Sequence, residues 1–378
     1  MKFEITKDII VGAFNKVVKV VKNNTHIPIL QGILVEVSFD EIKITGSDSR
    51  ETVVTKIVVD GENVKVMEEG NTVFPRQIAE IVKKSGSSVA FSLENFTNTI
   101  TSGKSEFKLN SFDPKEYPRF PDIELRQPNL VVTGEQFKDM VRKTVFAASK
   151  SDTRPVLTGV LMEIQEDCIE LVCTDSHRLA MVTQKAVSPV PMQLIVSADS
   201  LANASKVFDM DKDVELFTIS ESQHVLLRNG ETIFLSRLLD GNFPQIKQAI
   251  PKKFANVVKI NRNDLLNGFE LIRGIANIAD NETKGVAKLH VNGVASLSSY
   301  EAQTGKGKVD IVYDEVIGDE PEFTISCSIA YVIDSLKSLD SGTVDICYND
   351  PLQPIIIAPS EESDFKEVQL LAAVRASN

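Results

Sequence analysis

The feature that most constrains this chain is an internal repeat. A displacement of 127 residues carries Pro28 onto Pro155, Gly32 onto Gly159, Ile42 onto Ile169 and Asp48 onto Asp175. The same displacement carries Gly103 onto Gly230, Phe107 onto Phe234 and Asp113 onto Asp240. A one-residue deletion then brings Tyr117-Pro118 onto Phe243-Pro244. Chance matches do not hold one register over such a span, so the repeat marks a duplicated structural unit. A third, weaker copy opens near Val257, where INRNDLLNGFELI follows the pattern of VTGEQFKDMVRKT. Three tandem similar domains are expected, over 1–124, 125–250 and 251–378. A chain of 378 residues is in any case too long for one ordinary core.

Within each unit helical and strand-like patterns alternate. Phe137, Met140, Val141, Thr144, Val145 and Ala148 recur at helical spacing, as do Ile10, Ala13, Phe14, Val17 and Val21. The charge pattern extends these helices over 135–150 and 7–22, and shorter helical patterns occupy 76–84, 199–208, 263–275 and 328–339. Alternating β runs such as Ile42–Thr45, Phe107–Leu109 and Glu231–Leu235 lie between them, separated by turns such as Arg228-Asn229-Gly230 and Asp240-Gly241-Asn242. One helix per half-domain cannot cover a sheet on both faces. The fold class is therefore α+β, each domain a pair of helices backed by antiparallel sheets.

Composition matters chiefly through where the charge sits. The chain is 42% hydrophobic and carries a net charge of −12, which argues against tight bulk binding to a polyanion. The first helix nevertheless has Lys7, Lys16, Lys19 and Lys22 against Asp8, a net +3. Residues 76–84 have Arg76, Lys83 and Lys84 against Glu80, and 135–150 have Lys138, Arg142, Lys143 and Lys150 against Glu135 and Asp139, each a net +2. Any one such helix reads as a solvated face. On repeated units, they read as a weakly positive track that attracts a polyanion without gripping it. No apolar run approaches the roughly 20 residues of a membrane span, and MKFEITKDII does not resemble a signal peptide, so a cytoplasmic location is expected. Four cysteines without C-x-x-C spacing read as reduced thiols and point to no metal site.

Enzyme signatures fail one by one. Gly103-Lys104-Ser105 ends like a phosphate loop, but the required upstream glycine is Asn98 and a strand follows instead of a helix. LVCTDSHRLAM, from Leu171 to Met181, packs an acid, a hydroxyl, an imidazole and a guanidinium together. Its twin around Asp48 lacks the His and the Leu, so the acid belongs to a turn that each copy needs, closed by bonds to backbone amides. What is special to the second copy is His177, Arg178 and Leu179. No catalytic residue is expected.

These residues carry a resemblance. IPIL at 27–30, TRPVLTGV at 153–160, TDSHRLA at 174–180, SRLLDGNFP at 236–244 and Tyr331-Val-Ile-Asp are similar to the bacterial DNA polymerase III beta subunits, the replicative sliding clamps, along essentially the whole chain. The resemblance implies the DNA clamp fold and a ring-shaped head-to-tail homodimer around duplex DNA, with helices lining the hole. It implies no catalysis, cofactor, metal or membrane. The partners it implies are the polymerase III alpha subunit, the clamp-loader delta subunit and other proteins with a clamp-binding peptide motif. Their pocket maps onto Leu157, Thr174, His177, Arg178, Leu179, Pro244, Ala249, Tyr331, Leu370, Ala372, Ala373, Val374 and Arg375. The DNA-facing cations are Lys16, Lys19, Lys22, Arg76, Lys83, Lys138, Arg142 and Lys150. The dimer contact maps onto Phe107 and Leu109 on an edge strand, and Ile275 and Ile278 at a helix end. Phe107 has a twin in Phe234, which implies a share of internal packing as well.

Three departures from the family pattern stand out. Asn24 replaces an arginine before IPIL, Ala249 falls where a larger aliphatic is common, and the tail reads Ala372-Ala373-Val374-Arg375 in place of aliphatic-Pro-aliphatic-Arg. Trimming an anchor contact to alanine costs about 1–3 kcal/mol of peptide affinity. A clamp with weakened or altered partner preference is expected, the pattern of a second copy beside a standard one.

Overall fold

The computed structural model describes residues 1–119, 127–219, 223–275, 285–301, 305–318, 322–350, 352–361 and 366–374. Its helices are α1 (Lys7–Val17), α2 (Ile78–Lys83), α3 (Gly134–Arg142), α4 (Ala198–Val207), α5 (Arg262–Arg273) and α6 (Ile329–Ser338). The start signals are local. Thr133 and Gln136 form a reciprocal capping box before α3, at 3.0 and 3.1 Å, and the Asn261 side chain accepts from the amides of Asn263 and Asp264 before α5.

Two helices stop short of the expected spans. After α1 the amides of Lys19 and Val20 bond three residues back, to the carbonyls of Lys16 and Val17, so the chain tightens and leaves the α register before Val21. After α3 the Thr144 hydroxyl takes the Met140 carbonyl at 2.7 Å, and a short 3-10 turn, Val145–Ala147, replaces the predicted helical continuation to 150.

The chain divides into two compact units, Met1–Lys138 with Asp199–Leu238, and Asp139–Ala198 with Leu239–Asn378. The first holds a five-stranded sheet that begins with Lys2–Thr6 in its second position and ends on the edge strand Ser105–Asn110. It also holds an eight-stranded sheet. The second unit holds a nine-stranded and a four-stranded sheet. All their strand pairings are antiparallel, as the alternating runs predict.

The division cuts through the second repeat because sheets run across repeat boundaries. Three hairpin strands recur in each repeat: Gly32–Val37, Glu41–Ser47 and Glu51–Val58; then Gly159–Ile164, Cys168–Thr174 and Arg178–Lys185; then Val286–Asn292, Val294–Glu301 and Gly305–Ile311. In the first unit, Glu51–Val58 pairs with Thr232–Arg237 near the end of the second repeat, with Phe234 opposite Val53. In the second unit, Arg178–Lys185 pairs with Lys366–Leu371 near the end of the third, with Leu370 opposite Leu179. Each junction joins the third hairpin strand of one repeat to the last strand of the next. That rule leaves two edge strands, Ser105–Asn110 and Gly305–Ile311.

The cores follow the predicted periodicity. Ile10, Ala13, Phe14 and Val17 on α1 are buried, and Phe14 meets Phe74 edge-on. In the second unit Leu265, Phe269 and Ile272 of α5 and Val332, Ile333 and Leu336 of α6 share one cluster with the surrounding strands.

Candidate functional site

The stretch around His177 begins as a turn common to two repeats. Asp48 accepts from the amides of Arg50 and Glu51, both at 2.9 Å; Asp175 accepts from those of His177 and Arg178 at 2.9 and 3.1 Å. Ser49 and Ser176 sit at φ 75° and 78°, so both turns pass through the left-handed region at the same place. The aspartate closes the turn, as its twin implied.

Around the second turn a recess is framed by several elements of the second unit. Its floor is an apolar sheet face that includes Leu161, Val172, Leu179, Ile356 and Leu370, against which Phe243, Ile246 and Ile250 pack. Leu157 and Thr174 are buried; the Thr174 hydroxyl donates to the Arg178 carbonyl and accepts from the Ser176 amide, which locks the turn onto its strand. His177, Pro244 and Ala249 are exposed, and Tyr331 on α6 is half-buried. Burial pushes the Tyr331 phenol up to about 12, with the Asp175 carboxylate adding to the rise. Ala372, Ala373 and Val374 are half-buried, and the Ala372 amide donates to the His177 carbonyl at 2.9 Å. Arg375 lies outside the described residues. Beside the recess a cavity of about 820 Å³ opens between Leu161, Val172 and Ile195 and the segment Gly241–Gln248, where the Lys247 ammonium pairs with Glu163 and Glu170.

Arg178 does not present its charge to the recess. Its side chain is 6% exposed; Nε donates to Asp175, one terminal nitrogen to Asp334 at 2.7 Å, and the other to the Phe146 carbonyl at 2.5 Å. The guanidinium carbon lies 4.5 Å from the Tyr331 ring centroid and 5.3 Å from that of Phe146.

The predicted basic residues separate into engaged and open groups. Lys16 donates to Asp209 at 2.9 Å and to Thr232 at 3.3 Å. Its repeat-mate Lys143, 3% exposed, sits between Asp340 at 3.1 Å and Glu367 at 2.6 Å. Arg142 is held by Asp139, Asp340 and the Ser338 carbonyl. Lys22 pairs with Asp48 and Arg76 donates to Asn23. Lys19, Lys83 and Lys150 are exposed and Lys138 half-exposed, none with an ion pair among the described residues. No local signal marks Lys16 or Lys143 as engaged, because their acids lie far along the chain.

At the free edge Phe107 is 41% exposed while Phe234 is 1% exposed and packs on Phe208. Phe107 keeps a smaller share of internal packing than its twin, opposite Ile100 on the neighbouring strand, because Phe234 has a further strand across its junction and Phe107 has none. Leu109 is half-buried. Ile275 follows α5 and reaches the Gly307 position, and Ile278 lies outside the described residues. Among the described residues no cluster of three His, Cys, Asp or Glu side chains could hold a metal, and no helix is long and apolar enough to cross a membrane.

Comparison with known proteins covers the whole chain. The family models described as DNA polymerase III beta subunit, N-terminal, central and C-terminal domain match residues 1–121, 131–245 and 247–372. The chain is 35% identical to the beta sliding clamp of Bacillus subtilis over 388 aligned positions, covering 99% of this chain and 100% of that protein. It is 33% identical to that of Staphylococcus aureus, covering 99% of each. Among solved structures it superposes on the Bacillus subtilis DNA polymerase sliding clamp with a TM-score of 0.91 at 32% identity, and on the Streptococcus pyogenes beta subunit with 0.92 at 27%, each over 100% of both chains.

Proposed function

The chain belongs to the DNA polymerase III beta-subunit family, the sliding clamps, and on that premise we propose how its surfaces share the work of a ring. It is a sliding-clamp processivity factor and is not itself catalytic. We propose that two copies close head to tail around duplex DNA in the cytoplasm. The observation that carries this is the repeated junction: the third hairpin strand of one repeat takes the last strand of the next, twice within the chain.

Applied a third time, the rule seats Ser105–Asn110 of one copy on Gly305–Ile311 of another. A heterologous contact repeated about a two-fold axis then closes instead of polymerising. In the register of the existing junctions Phe107 falls opposite Gly307, which has no side chain to obstruct it and has Ile272 and Ile275 beneath. Glu106 then faces Lys308 and Lys104 faces Asp310, with Lys108 and Lys306 the one like-charged pair.

Lys19, Lys83, Lys138 and Lys150 are the cations we assign to the DNA backbone, with Lys22 and Arg76 as weaker contributors. Few open charges suit a protein retained by topology, since every gripped phosphate would slow sliding. The recess around Leu179, Leu370 and Tyr331 takes a partner's peptide: its apolar floor accepts hydrophobic anchors, and exposed His177 offers a polar contact. The polymerase alpha subunit and clamp-loader delta subunit are its proposed occupants.

Retention on DNA tests the reading. Loaded on a nicked circle, the protein stays bound at salt concentrations that strip a simple electrostatic binder; linearising the circle releases it. Equal release from circular and linear DNA refutes the ring.

A further inference from the structure

We propose that Arg178 is the positioning residue of the peptide recess: it contacts no partner itself, and it holds the recess's two walls at their binding separation. This rests on the reading of the recess as a peptide site. One wall is the Asp175–His177 turn of the second repeat; the other is α6 of the third, carrying Tyr331. Arg178 ties the first through Asp175 at 3.1 Å and the second through Asp334 at 2.7 Å, while its third anchor is the Phe146 carbonyl on the 3-10 turn after α3. With each of its three nitrogens already donating inside the unit and only 6% of its side chain exposed, it has no open two-pronged fork to offer a carboxylate or carbonyl of a ligand.

The repeat shows that this is more than a way to join domains. The residue equivalent to Arg178 is Glu51, which also reaches a helix of the following repeat: its Oε1 accepts from Asn203 at 2.7 Å. Asn203 and Asp334 are each the sixth residue of their helices, α4 and α6. The same span is therefore bridged at both junctions, and an acid–amide pair suffices at the first. Only the junction that bears the recess uses a planar fork with three partners and an aromatic ring against it. A guanidinium spreads five N–H donors over one rigid plane and can stack on an aromatic ring; an ammonium's three tetrahedral donors or an amide's two cannot reproduce that plane. Tyr331 belongs to that arrangement, since its ring lies 4.5 Å from the guanidinium carbon, so its place in the wall depends on Arg178.

The test uses the full chain and a fluorescein-labelled clamp-binding peptide from a polymerase III alpha subunit, read by anisotropy. Arg178→Ala is expected to weaken binding about 10-fold or more, and Asp334→Asn, which removes the charge of a residue outside the recess, about 3- to 10-fold. The double variant is expected to be no weaker than Arg178→Ala, because both break the same tie. Guanidinium chloride at about 20 mM should restore most of the Arg178→Ala loss, while sodium chloride at equal ionic strength should not. Arg178→Lys, which keeps the charge and the fold, should still lose affinity. Wild-type affinity in Asp334→Asn alongside a loss in Arg178→Ala would mean direct contact and overturn the proposal, as would full affinity in Arg178→Ala. Failure of the unaltered chain to bind the peptide would refute the peptide-site reading instead.

Discussion

The ion pair between Lys143 and Glu367 gives the sharpest test of how the second and third repeats are joined. Both side chains are 3% exposed, and the Glu367 Oε2 atom is buried without a hydrogen-bond partner among the described residues. Lys143→Met therefore strands a carboxylate in the interior. Burial already holds that carboxyl above its ordinary value of 4.5, and without the ammonium it rises further until the group folds protonated. The cost of carrying that proton is about 1.36 kcal/mol per pH unit above 4.5, hence at most about 3.4 kcal/mol at pH 7, of which the parent's already raised carboxyl carries part. This upper bound lies within the roughly 3–5 kcal/mol expected for a broken buried pair. The sign follows: a carboxyl whose folded pKa is raised loses stability as pH rises, so the penalty shrinks to at most about 0.7 kcal/mol at pH 5. Asp340 adds little to the cost, because it is 59% exposed and keeps Arg142 at 2.6 Å. Hydrogen exchange of the amides in 178–185 and 366–371 measures the effect where it acts. Protection there should fall by up to about 300-fold at pH 7 and by no more than about 3-fold at pH 5. Lys143→Met with Glu367→Met removes both charges and should return protection to within about 1 kcal/mol of the parent. A single variant as well protected as the double, or a loss independent of pH, refutes the reasoning.

Other consequences can be checked separately. Glu51 is held above the usual carboxylate range by burial, against the opposing hydrogen bonds of Ser200 and Asn203; Glu51→Gln mimics its protonated form and keeps the acceptor for Asn203. The variant should melt about 2–4 °C higher at pH 7–8, with the gain vanishing below about pH 4.5, where the parent is protonated too. Phe107→Ala should shift the solution mass from about twice 41.6 kDa toward one chain, with each chain's melting little changed because Phe107 is exposed within it. Ala372→Leu with Ala373→Pro should tighten the labelled peptide about 10- to 100-fold by returning apolar contact. Proline is tolerated at 373 and not at 372, because the Ala372 amide donates to His177. Lys19→Ala and Lys83→Ala should lower the salt dependence of DNA retention more than Lys16→Met, since Lys16 is committed to Asp209.

What was legible in the sequence was whatever repeats or is periodic. The Asp48 and Asp175 turns, the six helices and the antiparallel runs all have local signatures, and the 127-residue register ties them together. The ends of α1 and α3 escape a reading by apolar spacing, which continues to Val21 and Ala148, because backbone bonds three residues back and the Thr144 hydroxyl end the helices earlier. The charges were read by sign alone. Lys16 and Arg142 look like open cations in one dimension; their acids, Asp209 and Asp340, are 193 and 198 residues away. Arg178 was assigned to the recess by its neighbours, and nothing within TDSHRLA tells that its fork is taken by Asp334 and the Phe146 carbonyl.

The junctions explain why so many cations of an acidic protein are withheld from DNA. Lys16 with Asp209 and Thr232 repeats as Lys143 with Asp340 and Glu367, and Glu51 with Asn203 repeats as Arg178 with Asp334. Each junction thus has a lysine tie and a second tie to the next repeat's helix, and both are stronger in polar character at the second junction, beside the recess. A third closure, between copies, has neither: the position matching Glu51 and Arg178 lies at the start of Gly305–Ile311, where the residue is Gly305, and the position matching Lys16 on α5 is Leu271, 65% exposed. Such a closure depends on strand pairing, on Phe107 over Gly307 and on charge pairs such as Glu106 with Lys308, with neither of the two ties behind it. If two copies close as proposed, that closure is the contact expected to yield first under load, the place where a ring threaded by DNA would open.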